Sequence, residues 1–124
     1  MHFYRKIARG HILKLLITGA GGFTGRHLVA GARARGYDVI LLQADLTDQE
    51  AVQREVGETA PDWVLHLAGI SFVGHTDPGA FYQVNVIGTL NLLEALTTLA
   101  RPPKSVLLAS SANVYGNCTL SPIP

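Results

Sequence analysis

T-G-A-G-G-F-T-G, residues 18–25, follows the apolar run 13–17 and precedes a helix-compatible stretch. A strand, a glycine turn and a helix in that order bring bare backbone up to a pyrophosphate. Gly19 permits the sharp turn off the strand. Gly22 removes the Cβ that would collide with the phosphates, and Gly25 lets the helix sit close to the sheet. The free N–H groups at the helix start, and its positive dipole end, then face the anion. The spacing is Gly-x-x-Gly-x-x-Gly, one residue different from G-x-G-x-x-G. Dinucleotide binding is the reading this arrangement supports, against the alternative of an ordinary tight turn. A Walker phosphate loop is excluded by register: it needs glycine at position 20 and lysine at 26, where Ala20 and Arg26 stand.

Downstream of the turn, residues 24–35 put Leu28, Val29 and Ala32 on one helical face, and Gly36 is a helix stop. Residues 39–42 form an apolar, strand-like run. Asp45, Thr47 and Asp48 then introduce a polar helix over 49–59, with Ala51, Val52 and Val56 as its apolar stripe. Pro61 and Asp62 break it, and 63–67 reads as the next buried strand. Asp77-Pro78 opens the longest helix, 79–99, whose buried face is Phe81, Val84, Gly88, Leu92, Ala95 and Leu99. Pro102-Pro103 ends it, and 105–109 is a further apolar strand. Strands alternating with helices build a parallel sheet by right-handed crossovers. The expected fold is α/β, a Rossmann-like doubly wound parallel sheet over residues 13–124, behind a loose basic extension, 1–12, that carries Arg5, Lys6 and Arg9.

Composition narrows the function classes. Of 124 residues, 48% are hydrophobic and 15% charged, so the chain has a core to bury and is not disordered. A formal net charge of +1 gives no footing for a nucleic acid or an anionic membrane. No run approaches the roughly 18 apolar residues of a membrane span. Cys118 is the only cysteine, which leaves no intramolecular disulfide or thiolate metal cluster and fits a reducing cytoplasm.

Five segments resemble the extended short-chain dehydrogenase/reductases, the nucleotide-sugar epimerases, dehydratases and reductases. They are T-G-A-G-G-F-T-G-R-H-L (18–28), A-D-L-T-D (44–48), P-D-W-V-L-H-L-A-G (61–69), N-V-I-G-T-L-N-L-L-E-A (85–95) and L-L-A-S-S-A-N-V-Y-G (107–116). Within the family, H-L-A-G-I-S-F-V, then D-P and N-V-I-G-T-L-N-L-L, look most like the GDP-4-keto-6-deoxy-mannose reductases. The resemblance implies an NAD or NADP cofactor and a nucleotide-sugar substrate, GDP-linked for that subfamily. Gly19, Gly22, Phe23, Thr24 and Gly25 would line the pyrophosphate. Asp45 and Leu46 would border the adenine, the carboxylate accepting from its amino group. Leu67, Ala68 and Gly69 would form the strand-end loop beside ribose and nicotinamide, and Asn85 would hold neighbouring backbone in place. Ser111 matches the catalytic serine or threonine and would hydrogen-bond the sugar carbonyl.

Plainer readings stand beside these. The cluster Asp45, Thr47, Asp48 can cap a helix. Asn85 can be a satisfied polar residue on a packing face, and Ser111 a loop hydroxyl. His66 and His75 lack the spacing of a metal pair, and no metal is expected. Tyr115 reads as a packing residue.

Two departures bear on activity. The family's chemistry needs Tyr-x-x-x-Lys, in which a lysine one helical turn away lowers the phenol pKa from about 10. Ala8, Leu41, Val86 and Thr119 stand four residues after the four tyrosines, and none is lysine. By family spacing the pair belongs about 25 residues beyond Ser111, so these 124 residues read as the amino-terminal portion of such an enzyme, with little turnover of their own. A dinucleotide-binding module without catalysis is the competing reading, and an epimerase or dehydratase a third. In this family the long helix forms a dimer interface, so a homodimer is expected of the full-length protein. The second departure concerns the cofactor. The second strand ends Leu41-Leu42-Gln43 and passes at once into Ala44-Asp45, without the usual intervening helix and strand. Gln43 is neutral where a ribose acid or a phosphate-binding arginine is sought. The reductase resemblance leans toward NADP.

Overall fold

The computed structural model describes residues 12–70, 77–116 and 119; the basic extension up to residue 11, His75 and Cys118 lie outside the described residues. Four strands make one parallel sheet in the order β2-β1-β3-β4. They are β1 (Lys14–Thr18), β2 (Asp38–Leu41), β3 (Trp63–His66) and β4 (Ser105–Leu108). Between them run α1 (Phe23–Ala34) and α2 (Gln49–Thr59). The β3–β4 crossover carries α3 (Pro78–Phe81), a π-helical segment (Tyr82–Ile87) and α4 (Gly88–Thr97). A 3₁₀ turn, Ala112–Tyr115, follows β4. This is the expected Rossmann-like fold, with strand bounds within one residue of the sequence reading.

Each helix boundary has a local cause. Asp48, not Asp45, caps α2 by accepting from Ala51 N at 3.0 Å. Asp77 likewise accepts from Gly79 N ahead of Pro78 at the start of α3. Gly36 ends the α1 hairpin at φ +81°, with its N–H on Arg33 O. The expected single helix over 79–99 is instead interrupted by the π segment, although its stripe survives: Gly88, Leu92 and Ala95 are buried.

The core lies on one face of the sheet. Leu16 and Val64 project toward α2 and α4 and pack with Leu46, Val52, Val56, Leu92, Ala95 and Leu96. Because side chains alternate along a strand, Leu15 and Ile17 project to the α1 face. Among the described residues that face is covered, by α1, over β1 and β2 only. The sequence reading of β3 as fully buried is therefore corrected at Trp63, which is 38% exposed. Leu107, in register with Leu65 and Ile17, is 53% exposed. Leu28, expected on the buried face of α1, is 39% exposed for the same reason: no second helix flanks α1 on that face among the described residues. β4 is an edge strand with all four residues exposed.

At the opposite edge of the sheet, Asp62 ties three strands together. Its carboxylate accepts from Lys14 N at 3.0 Å and from Arg101 Nη2 at 3.2 Å. Its own N–H donates to Lys14 O and its carbonyl accepts from Lys104 N. The side chain is buried, whereas that of Arg101 is largely exposed. No described helix is long and apolar enough to cross a membrane.

Candidate functional site

All the strands are parallel, so their carboxyl ends gather at one edge of the sheet. The glycine turn leaves β1 there, residues 67–70 leave β3, and Ser111 follows β4. Gly19 sits at φ +69°, a left-handed conformation that an L side chain enters at a cost. A Cβ on it would stand 2.5 Å from Ala68 N and 2.7 Å from Leu67 C. Glycine at 19 is thus required twice, for its φ and for the contact between the β1 and β3 loops. A Cβ on Gly25 would lie 2.7 Å from Ala20 Cα, so the first turn of α1 is seated directly on the glycine turn. Gly22 differs: its Cβ would meet only Gly19 O, at 3.3 Å. That contact is tight but asks Gly19 O to give by only a few tenths of an ångström, so the protein itself restricts position 22 far less than 19 or 25.

No side chain caps α1; Gly22 occupies the cap position in extended conformation. The N–H groups of Phe23 and Thr24 therefore have no acceptor within the helix. The Phe23 ring is 76% exposed and meets His27 edge-on, so this residue offers the turn its backbone rather than its ring. A cradle of bare backbone donors with no Cβ in its floor fits a pyrophosphate.

A directional hydrogen-bond chain joins the loops to the π segment. Ala68 N donates to Thr18 Oγ1 at 3.1 Å, and Thr18 Oγ1 lies 2.7 Å from His66 Nδ1. His66 Nε2 lies 2.8 Å from Thr89 Oγ1, which donates to Asn85 O at 2.8 Å. The Thr89 hydroxyl has one hydrogen, spent on Asn85, so the imidazole must be the donor to it. The neutral ring that fits this pattern carries its hydrogen on Nε2 and accepts from Thr18 at Nδ1. Asn85 continues the chain by clasping Ile70: Oδ1 accepts from its N at 2.8 Å and Nδ2 donates to its O at 3.0 Å. Gly69 leaves room for this clasp, since a Cβ there would sit 3.2 Å from Asn85 Oδ1. Residues 67–70 are held from both sides.

His66 is buried and its pKa lies below the usual 6.5, because burial disfavours the imidazolium. The unfolded chain thus binds a proton that the native one refuses, and stability rises with pH through that window. Folding stability should be level above about pH 6.5 and decline as pH falls below it. Melting temperatures across pH 5–8 check this; a His66→Gln variant should lose that part of the slope.

In the segment after β2, Asp45 Oδ1 accepts from Thr47 N at 2.9 Å and from Thr47 Oγ1 at 2.8 Å. These bonds, the backbone one first, hold its carboxyl below the usual range. Oδ2 has no partner among the described residues. Leu46 is a core side chain, 8% exposed, in contact with Gly88, and its carbonyl accepts from Asn91 Nδ2 at 2.8 Å. Asn91 thus anchors the segment to α4. Ser111 is exposed and its carbonyl accepts from Val114 N, opening the 3₁₀ turn. Tyr115, expected to pack, is 58% exposed; it projects from that turn beyond the sheet. Among the described residues, no three His, Cys, Asp or Glu side chains converge as a metal site.

Sequence reasoning missed Thr18, Thr89, Asn91 and Glu55, whose carboxylate bonds the backbone just after β2. Thr18, Thr89 and Asn91 stand inside the quoted segments, so position within them was the available signal. Glu55 had none.

Comparison with known proteins agrees with this geometry. A family model described as the NAD dependent epimerase/dehydratase family matches residues 15–124. The GDP-6-deoxy-D-talose 4-dehydrogenase of Aggregatibacter actinomycetemcomitans is 38% identical over 109 residues, covering 84% of this chain and 37% of that protein. The GDP-6-deoxy-D-mannose reductase of Pseudomonas aeruginosa is 35% identical, covering 90% and 38%. Among solved structures, RMD of P. aeruginosa complexed with NADPH superposes with TM-score 0.74 at 35% identity, covering 91% of this chain and 40% of that one. The UDP-glucose-4-epimerase of Stenotrophomonas maltophila with bound NAD gives TM-score 0.78 at 26% identity, covering 91% and 41%. The chain spans about two fifths of the length of the relatives it matches. With the match running from the first strand through the turn after β4, the chain belongs to the NAD-dependent epimerase/dehydratase family.

Proposed function

We propose that this chain supplies the cofactor-binding half of an oxidoreductase that interconverts the 4-keto and 4-hydroxy forms of a GDP-linked 6-deoxyhexose. The observation that carries the reading is the cradle itself: an uncapped α1 on a turn where glycine is required, locked against the strand-end loop at Ala68. The GDP-sugar specificity is supported by the names of two relatives, a 4-dehydrogenase and a reductase, which treat 6-deoxyhexoses.

In this reading the turn 19–25 holds the pyrophosphate, through the N–H groups of Phe23 and Thr24 above the open floor at Gly22. Asp45 Oδ2 accepts from the adenine amino group, while the segment's position is set by Leu46 and Asn91. Residues 67–69, fixed by the Thr18–His66–Thr89–Asn85 chain, flank the nicotinamide ribose. The bound nicotinamide supplies or receives the hydride at C4 of the sugar. Ser111 donates a hydrogen bond to the carbonyl oxygen, and the tyrosine of a Tyr-x-x-x-Lys pair passes the proton. That pair is not among these 124 residues. A homodimer is part of the proposal, supported by Tyr82, Val86 and Leu90, exposed at four-residue spacing along the long helix.

The test has two steps. Sequencing the coding DNA past codon 124 should reveal Tyr-x-x-x-Lys in frame. The resulting polypeptide, given NAD(P)H and GDP-4-keto-6-deoxy-mannose, should consume the nicotinamide absorbance. A complete polypeptide that binds cofactor but leaves the absorbance unchanged refutes the sugar assignment. The same cradle is compatible with a dinucleotide-binding module without catalysis; a complete polypeptide that binds cofactor tightly and turns over no nucleotide sugar would establish it.

A further inference from the structure

The turn after β2 carries a device that no quoted motif includes. Glu55, in the second turn of α2, reaches back across the chain: its Oε1 accepts from Gln43 N at 2.9 Å and its Oε2 from Ala44 N at 2.7 Å. Two successive backbone N–H groups thus converge on one carboxylate, the arrangement that elsewhere binds anions. The place matters. β2 pairs with β1 in parallel through Leu41, and Leu42 N still donates to Ile17 O. Gln43 is therefore the first residue past the carboxyl end of the second strand, where the adenosine ribose is read in this kind of sheet.

NAD and NADP differ there by a single group, the 2′-phosphate, which brings about two further negative charges. A site for it needs free donors or a cation. Here the two backbone donors are already taken by the protein's own anion. The Gln43 side chain is turned onto Leu41 O at 2.9 Å. No lysine or arginine hydrogen-bonds to Gln43, Ala44, Asp45 or Glu55 among the described residues. Asp45, two residues on, adds a second carboxylate whose proton affinity is lowered, so it stays charged at neutral pH. We infer that Glu55 is a specificity-determining residue that selects NAD over NADP by occupying, with a like charge, the backbone donors a 2′-phosphate would need. The inference rests on the cofactor reading above and runs against the lean toward NADP that the reductase resemblance implies.

Titration calorimetry of the chain with NAD and with NADP, wild type against Glu55→Gln, tests it. Glutamine keeps an acceptor for one of the two N–H groups and removes the charge. The wild type should bind NAD at least about tenfold more tightly than NADP. Glu55→Gln should narrow that ratio about fivefold or more, mainly by tightening NADP, with NAD affinity nearly constant. Equal or tighter binding of NADP by the wild type overturns the inference while leaving the cofactor site standing. So does an unchanged ratio in a folded Glu55→Gln variant. Binding of neither nucleotide removes the cofactor reading itself, and this inference with it. The wild-type ratio remains decisive should the variant fail to fold.

Discussion

Gly19→Ala should abolish measurable dinucleotide binding and lower the melting temperature together. Two costs combine at this one position. An alanine held at φ +69° costs roughly 1–2 kcal/mol. Its Cβ would then press on Ala68 N at 2.5 Å and Leu67 C at 2.7 Å, both backbone atoms that no rotamer change can clear. Relief requires the β1 and β3 loops to separate, which stretches the 3.1 Å bond from Ala68 N to Thr18 Oγ1 and disturbs His66 behind it. A total of about 3 kcal/mol is expected, and more than a hundredfold loss of cofactor affinity. Gly22→Ala supplies the contrast. Its one tight contact, Gly19 O at 3.3 Å, must give by only a few tenths of an ångström, so it should lose less stability than Gly19→Ala and still bind poorly, because its Cβ obstructs the ligand more than the protein. Calorimetric titration beside thermal melts separates the two behaviours. Loss of stability without loss of binding in Gly19→Ala would count against the cradle.

Asp62→Ala should be the most destabilising change remote from the cofactor edge, by about 2–4 kcal/mol. The carboxylate is buried, and its removal leaves Lys14 N without its side-chain acceptor at the start of β1. Arg101 loses less, since most of its side chain is in water. Asp62→Asn keeps an acceptor for Lys14 N and should cost under half as much. Urea denaturation of the three proteins checks the order. Near-equality of Ala and Asn would mean that the ion pair, not the backbone bond, carries the effect.

The sequence made the sheet and its cradle legible because both depend on local rules. Gly19 and Gly25 are read from spacing, and apolar runs between turns mark the strands. The α2 helix was placed residue for residue, since Asp48 and Pro61 bracket it. Burial was harder. Trp63, Leu28 and Leu107 look like core residues by composition, and whether they are covered depends on which helices lie on that face, which no window of ten residues contains. The chain through Thr18, His66 and Thr89 was illegible for a related reason. Its members lie 48 and 23 positions apart, and each alone is an ordinary polar residue. Within the helix-start cluster Asp45, Thr47 and Asp48, proximity does not say which member caps: Asp48 holds that geometry and Asp45 folds onto Thr47. Glu55 reaches 11 and 12 residues back to Ala44 and Gln43, from outside the apolar stripe of α2.

The π segment Tyr82–Ile87 itself carries Asn85, which clasps Ile70, and runs directly into α4, which packs through Leu92, Ala95 and Leu96. One wide turn makes a rotary joint: it changes the phase of everything upstream of it while leaving everything downstream in register. Deleting Val86 or Ile87, between Asn85 and α4, would restore a 3.6-residue winding and swing Asn85 roughly 100° away from the strand-end loop. The hydrophobic packing against α2 would not register the change. The architecture thus separates two tasks along one rod, so that the hold on the strand-end loop can be retuned without renegotiating the interior.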